Sequence, residues 1–145
     1  NEITYLSKNY KINVIPSRRT PLSLLKKLER IKSDSIIPFD NLFNPKGYGD
    51  LLSKAKFHIV TWDSISMISE AIFSESSTFV YSFENRDCPK RYQNFYKSII
   101  DKNLAKFYSR NLSTFNLSLN AYNKELKTKI LNKIESHLWF KTDAS

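Results

Sequence analysis

Five short runs rich in β-branched and aromatic residues, Lys11–Ile15, Ser35–Phe39, Phe57–Thr61, Thr78–Phe83 and Leu104–Tyr108, are separated by segments with helical apolar spacing. A period of two belongs to strands and one near 3.6 to helices. Strands reached only through a helix pair in parallel, by right-handed crossovers, because a tight turn cannot join them. The expected fold is therefore α/β: a Rossmann-like, mostly parallel sheet with helices on both faces. Thr78–Phe83 is apolar almost throughout and is expected at the centre of that sheet.

The helical segments fit between these runs. Leu22–Ile31 places Leu24, Leu25, Leu28 and Ile31 on one face and Lys26, Lys27 and Arg30 on the other, with Thr20 positioned as its cap and Pro21 at its first position. Asn44-Pro45-Lys46-Gly47-Tyr48-Gly49 holds both glycines of the chain, so a sharp turn is expected there before a short helix, Asp50–Ala55. Ile65–Phe73 and Arg91–Lys102 follow, the second burying Tyr92, Phe95, Tyr96, Ile99 and Ile100. Beyond a polar linker, 109–116, Tyr122, Leu126, Ile130, Ile134 and Leu138 mark a long amphipathic C-terminal helix, Leu119–Phe140. The chain thus divides into a domain over 1–116 and a helix over 117–145 that packs on it. It opens on Asn1 in a helical pattern (Ile3, Tyr5, Leu6), as expected of a piece of a longer protein.

Composition narrows the function. With 145 residues and 41% apolar content the chain can fill one core, and no run approaches the roughly 20 apolar residues of a membrane span, so a cytoplasmic location is expected, with peripheral attachment to an acidic membrane surface as an extension of it. One cysteine (Cys88) and two distant histidines (His58, His137) form neither a disulfide framework nor a zinc ligand set. The net charge of +9 suits a polyanionic partner, but the basic residues are scattered lysines without a nucleic-acid-binding signature, so nucleic acid is set aside as a partner.

The strongest chemical signal is the junction Thr61-Trp62-Asp63-Ser64-Ile65-Ser66, where a buried strand meets a helix that begins with small hydroxyl residues. A helix start offers unpaired N–H groups and positive potential, which suits a phosphate or carboxylate. Glu70 lies one turn beyond Ser66 on the same face, opposite the Ile65, Ile68 and Ile72 stripe, where it could accept from ribose hydroxyls. Asp63 or Ser64 acting only as a cap, with Glu70 a solvated acid, explains the same spacing. A second candidate, Ser17, Arg18 and Arg19, follows another strand and so falls on the same sheet edge, where two arginines could clamp an anion. Asn44–Gly49 is a third loop on this edge. Cys88 lacks a nearby histidine, His58 and His137 read as structural, and neither a nucleophile elbow, a Walker A nor a Gly-x-Gly-x-x-Gly motif occurs, so no catalytic residue and no metal is assigned.

The segments Pro16–Pro21, Asn44-Pro45, Val60–Ala71 and the Tyr92–Lys97 helix, in this order, resemble the elongated-mitochondria (mitochondrial fission) family over roughly residues 1–110; its members include many bacterial proteins. That family looks like the C-terminal half of GT-B glycosyltransferases. The resemblance implies a donor domain for a nucleotide-sugar such as a UDP-sugar, with Ser64 and Ser66 facing the diphosphate and Glu70 the ribose. It also implies that the domain's first strand and the acceptor-binding N-terminal domain, a partner of this one, are missing, and that the fragment is inactive alone. Such transferases carry glycine where Ser64 and Ser66 stand, and Asp63 would put a like charge beside the phosphates, at a cost of a few kcal/mol at about 5 Å. The resemblance equally implies a second reading, a non-enzymatic adaptor that keeps the fold and works through protein–protein contacts.

Overall fold

The computed structural model describes residues 2–17, 19–31, 33–38, 45–83 and 87–115, together with Thr128, Lys129 and Asn132. Its elements are α1 (Glu2–Leu6), β1 (Ile12–Val14), α2 (Leu22–Glu29), β2 (Ile36–Pro38), α3 (Pro45–Lys54), β3 (Phe57–Thr61), α4 (Ile65–Phe73), β4 (Ser77–Tyr81), α5 (Lys90–Asp101) and β5 (Lys106–Phe107). The long C-terminal helix expected over Leu119–Phe140 lies outside the described residues, save that Thr128, Lys129 and Asn132 are helical.

Among the described residues every strand pairing is parallel, as the strand–helix alternation requires, and the strands form two sheets, β1–β2 and β3–β4–β5, rather than the one anticipated. In the larger sheet Phe57 to Thr61 pair in register with Ser77 to Tyr81, and Phe79 and Val80 with Lys106 and Phe107. β4 is the central strand, with its first four residues buried.

The core lies between this sheet and helices α4 and α5. Ile68, Ala71 and Ile72, spaced by three and four, bury the inner face of α4, and Tyr96 and Ile99 bury that of α5. They close over Val80 with Trp62, Leu104 and Ala105, and Tyr92, Phe95 and Ile100 pack at the margin. Ile68 and Val80 are fully buried, which stabilises the fold by about 1.5–3 kcal/mol per side chain. α4 ends at Ser74, and Glu75 turns the chain at φ 66°, a left-handed position where glycine is usual.

The other face of the sheet carries an aromatic row. Phe57, Phe79 and Phe115 meet edge to face, and Tyr81 packs on Tyr108. The stretch read as a polar linker is therefore docked through residue 115: Phe115 N–H donates to Ser77 Oγ, and Arg110 forms an ion pair with Glu2 of α1. No helix among the described residues is long and apolar enough to cross a membrane.

Three local expectations change. Thr20 does not cap α2; its Oγ1 accepts from Ser17 N–H, and Pro21 occupies the cap position. Leu24 is 43% exposed, and only Leu28 of α2 is buried. The two glycines do not make a turn: α3 begins at Pro45, so Gly47 and Gly49 sit in its first turns. Proline at a first helical position has its φ preset and its missing N–H costs nothing, which outweighs the glycines that follow. Asn44 lies outside the described residues.

Candidate functional site

The β3–α4 junction is a tight turn. Trp62 N–H donates to Tyr81 O at 2.9 Å, continuing the ladder past β3, and Ser64 N–H donates to Thr61 O at 3.0 Å. Ser64 then starts α4 by accepting from Ile68 N–H, but its own hydroxyl makes no capping bond. The first turn of α4 therefore opens without the Ser64 side chain closing it, and Ser66 is exposed there. Asp63 does not close it either, since its Oδ1 is buried without a hydrogen-bond partner. The capping explanation for these residues is not what the geometry supports.

Glu70 is held rather than free. Tyr48 of α3 donates its phenol proton to Glu70 Oε2 at 2.6 Å, and burial, followed by the Glu70 carboxylate, pushes the Tyr48 phenol well above its ordinary range. A carboxylate has about four acceptor positions, and this bond uses one. Tyr48 is 22 residues from Glu70, and no local pattern pointed to it.

The β1–α2 loop reaches the same place. Ser17 O accepts from Thr20 N–H at 3.0 Å, and Ser17 Oγ accepts from Arg19 N–H at 3.2 Å, so the Ser17 hydroxyl is engaged within its own turn. Arg19 extends across to donate from Nη1 to Asp63 O at 3.2 Å. A guanidinium has five donors, and this bond to the Asp63 backbone carbonyl uses one. The structure thus brings Arg19, Asp63 and the Ser64–Ser66 turn together. Glu70 lies one helical turn further along, Ser17 stays in its own turn, and Arg18 lies outside the described residues.

His58 and Cys88 have structural surroundings. His58 Nε2 shares a hydrogen bond with Ser74 Oγ at 2.8 Å, and burial lowers its pKa, so it ties β3 to the end of α4 as a neutral ring. Burial pushes the Cys88 thiol up, away from the thiolate that a nucleophile needs.

A cavity of about 420 Å³, which the sequence did not signal, opens beyond the ends of β3, β4 and β5 between Trp62, Ser82, Gln93, Tyr96, Lys97 and Phe107. Two of these side chains, Trp62 through Nε1 and Tyr96 through its hydroxyl, have buried polar atoms with no partner. Among the described residues no group of three or more His, Cys, Asp and Glu converges to hold a metal ion.

Compared with known proteins, the chain matches the model of the family described as Mitochondrial fission ELM1 over residues 2–132. No curated protein and no solved structure matches it.

Proposed function

The chain belongs to the mitochondrial fission ELM1 family, and we propose that its β3–α4 turn is the phosphate end of a nucleotide-sugar site, in the donor-binding domain of a GT-B-like glycosyltransferase. The observation that carries this reading is the Tyr48–Glu70 bond: a carboxylate aligned by a phenol at 2.6 Å, one turn beyond an uncapped helix start. A diphosphate at that start meets backbone N–H groups and the hydroxyls of Ser64 and Ser66, and the ribose falls beside the remaining acceptor positions of Glu70. Arg19, held on the Asp63 backbone carbonyl, adds donors toward the phosphates. Ser17 and Arg18 belong to this reading as the rest of the loop that presents Arg19. No residue of the chain is assigned as a catalytic base, so on this reading the groups that bind and activate the acceptor come from a partner domain.

Titration calorimetry with UDP and UDP-sugars tests it. Binding should appear below about 1 mM, the weak end of the affinities that such contacts reach, and Glu70→Ala should remove it. No heat at millimolar nucleotide would sink the proposal.

A second reading rests on Asp63. An acid with a buried, unpartnered oxygen at the helix start repels phosphate, which suits an adaptor that kept the fold and lost the ligand, using its +9 charge toward acidic surfaces. On that reading Glu70→Ala and Arg19→Ala leave function in cells unchanged.

A further inference from the structure

We propose that the cavity beyond the ends of β3, β4 and β5 binds a small uncharged ring compound carrying one hydrogen-bond acceptor oxygen, at a site separate from the nucleotide turn. Trp62, Tyr96, Ile100 and Phe107 line it, whereas Ser17, Arg19, Ser64, Ser66 and Glu70 do not. Its walls are therefore mainly aromatic and aliphatic. At about 420 Å³ it falls within the range of small-molecule sites and exceeds the roughly 150 Å³ that accepts benzene, so two fused rings fit.

Two orphaned polar atoms say what the occupant must offer. Trp62 and Tyr96 are only 8% and 5% exposed, and in each the one polar side-chain atom has no hydrogen-bond partner. Buried polar atoms are normally paired, because a bare one forfeits the bonds it made with water. Both side chains border the same cavity, so a slight tilt of either ring presents its polar atom to an occupant there. An indole N–H can only donate. Burial, followed by the nearby Cys88 and Asp63, keeps the Tyr96 phenol protonated and so able to donate as well. The matching group is an acceptor oxygen, such as a carbonyl. A third orphan, Asp63 Oδ1, belongs to a residue that does not line the cavity.

The other polar groups of the lining narrow the class further. Lys97 pairs with Asp101 at 2.8 Å, and Gln93 donates to Cys88 O at 3.2 Å, so these heads are engaged with protein. An anion would find no uncommitted cation among the described lining residues, and a cation would meet donors where it needs acceptors. A sugar carries a hydroxyl on most ring carbons and would strand several of them against Trp62, Ile100 and Phe107. A bicyclic ketone or lactone meets every one of these limits.

Proton–nitrogen NMR of the 145-residue chain reads the site directly, with Trp139→Phe identifying which indole signal is that of Trp62. Titrated with indanone, a bicyclic ketone, the Trp62 indole signal should move downfield and saturate with a Kd below about 1 mM. Indane, the same rings without the oxygen, should bind about tenfold more weakly, and indane carboxylate should leave the signal in place. Tyr96→Phe should weaken indanone about fivefold and leave indane unchanged, a split that altered packing alone would not produce. Indanone should also slow the alkylation of Cys88, the single cysteine, by N-ethylmaleimide, because Cys88 borders the cavity. The proposal is overturned if indanone gives no saturable shift at millimolar concentration, if indane binds as tightly, if the carboxylate shifts the signal equally, if Tyr96→Phe weakens both ring compounds alike, or if Cys88 reacts at an unchanged rate. Nucleotide enters none of these measurements, so the outcome is independent of the UDP titration.

Discussion

Replacing Tyr48 by Phe removes one oxygen from the candidate site and leaves the ring in place. The lost contact is an O–H···O bond of 2.6 Å to an ionised carboxylate. Such bonds contribute about 1.5–3 kcal/mol, and since both side chains are only half-buried, water replaces part of the contact and the lower end applies. At about 1.5 kcal/mol, a chain of this size should melt roughly 5 °C lower. Melting followed by circular dichroism at pH 7 reads this directly. The Tyr48→Phe, Glu70→Ala and double variants close a cycle whose coupling should exceed about 0.5 kcal/mol. An unchanged melting temperature, or additive effects in the double variant, would refute the claim that Tyr48 aligns Glu70, and with it the observation on which the proposed ribose contact rests.

Ile68 has no exposed surface, so Ile68→Ala should cost about 3 kcal/mol in urea unfolding, whereas Leu24→Ala, 43% exposed on α2, should cost under about 1 kcal/mol; equal losses would mean the core is misplaced. Alkaline stability should also fall. Burial raises the phenols of Tyr48, Tyr96 and Tyr108, Tyr108 to about 12, while unfolded tyrosines titrate near 10. Above about pH 10 the unfolded chain therefore loses protons first, and rising pH favours unfolding. The urea midpoint should drop in that range, and less steeply in Tyr96→Phe; identical slopes would show that this phenol does not control it.

The parts of the fold carried by continuous patterns were legible. Phe57–Thr61 and Ile65–Phe73 sit at their anticipated bounds because β-branching and a three-four apolar spacing leave few alternatives. The failures came where one residue has two uses. Thr20 is a good cap, but it also closes a turn with Ser17, and the turn wins. Glycines signal turns, yet Pro45 ahead of them starts a helix. Polarity marked 109–116 as a linker, although Phe115 docks its end through its ring on Phe79 and its N–H on Ser77. Of the site, the turn and the Arg19 loop could be placed because strand ends share an edge of a parallel sheet. Tyr48 could not, since its meeting with Glu70 depends on how α3 lies against α4, which no local spacing encodes.

The unit from Phe57 to Tyr81 is continuous in sequence, and it contains both the central strand and the helix with the most complete burial. Contacts so close along the chain close small loops, so this unit needs the least entropy to form and should be the last to open. The Ser64 turn lies inside it, while Tyr48 and Arg19 come from outside. Under mild denaturant, hydrogen exchange should therefore find Ile68 still protected after α2 and α3 have opened. The proposed phosphate turn would then outlive the side chains that tune it, leaving a sturdy frame whose selectivity melts first.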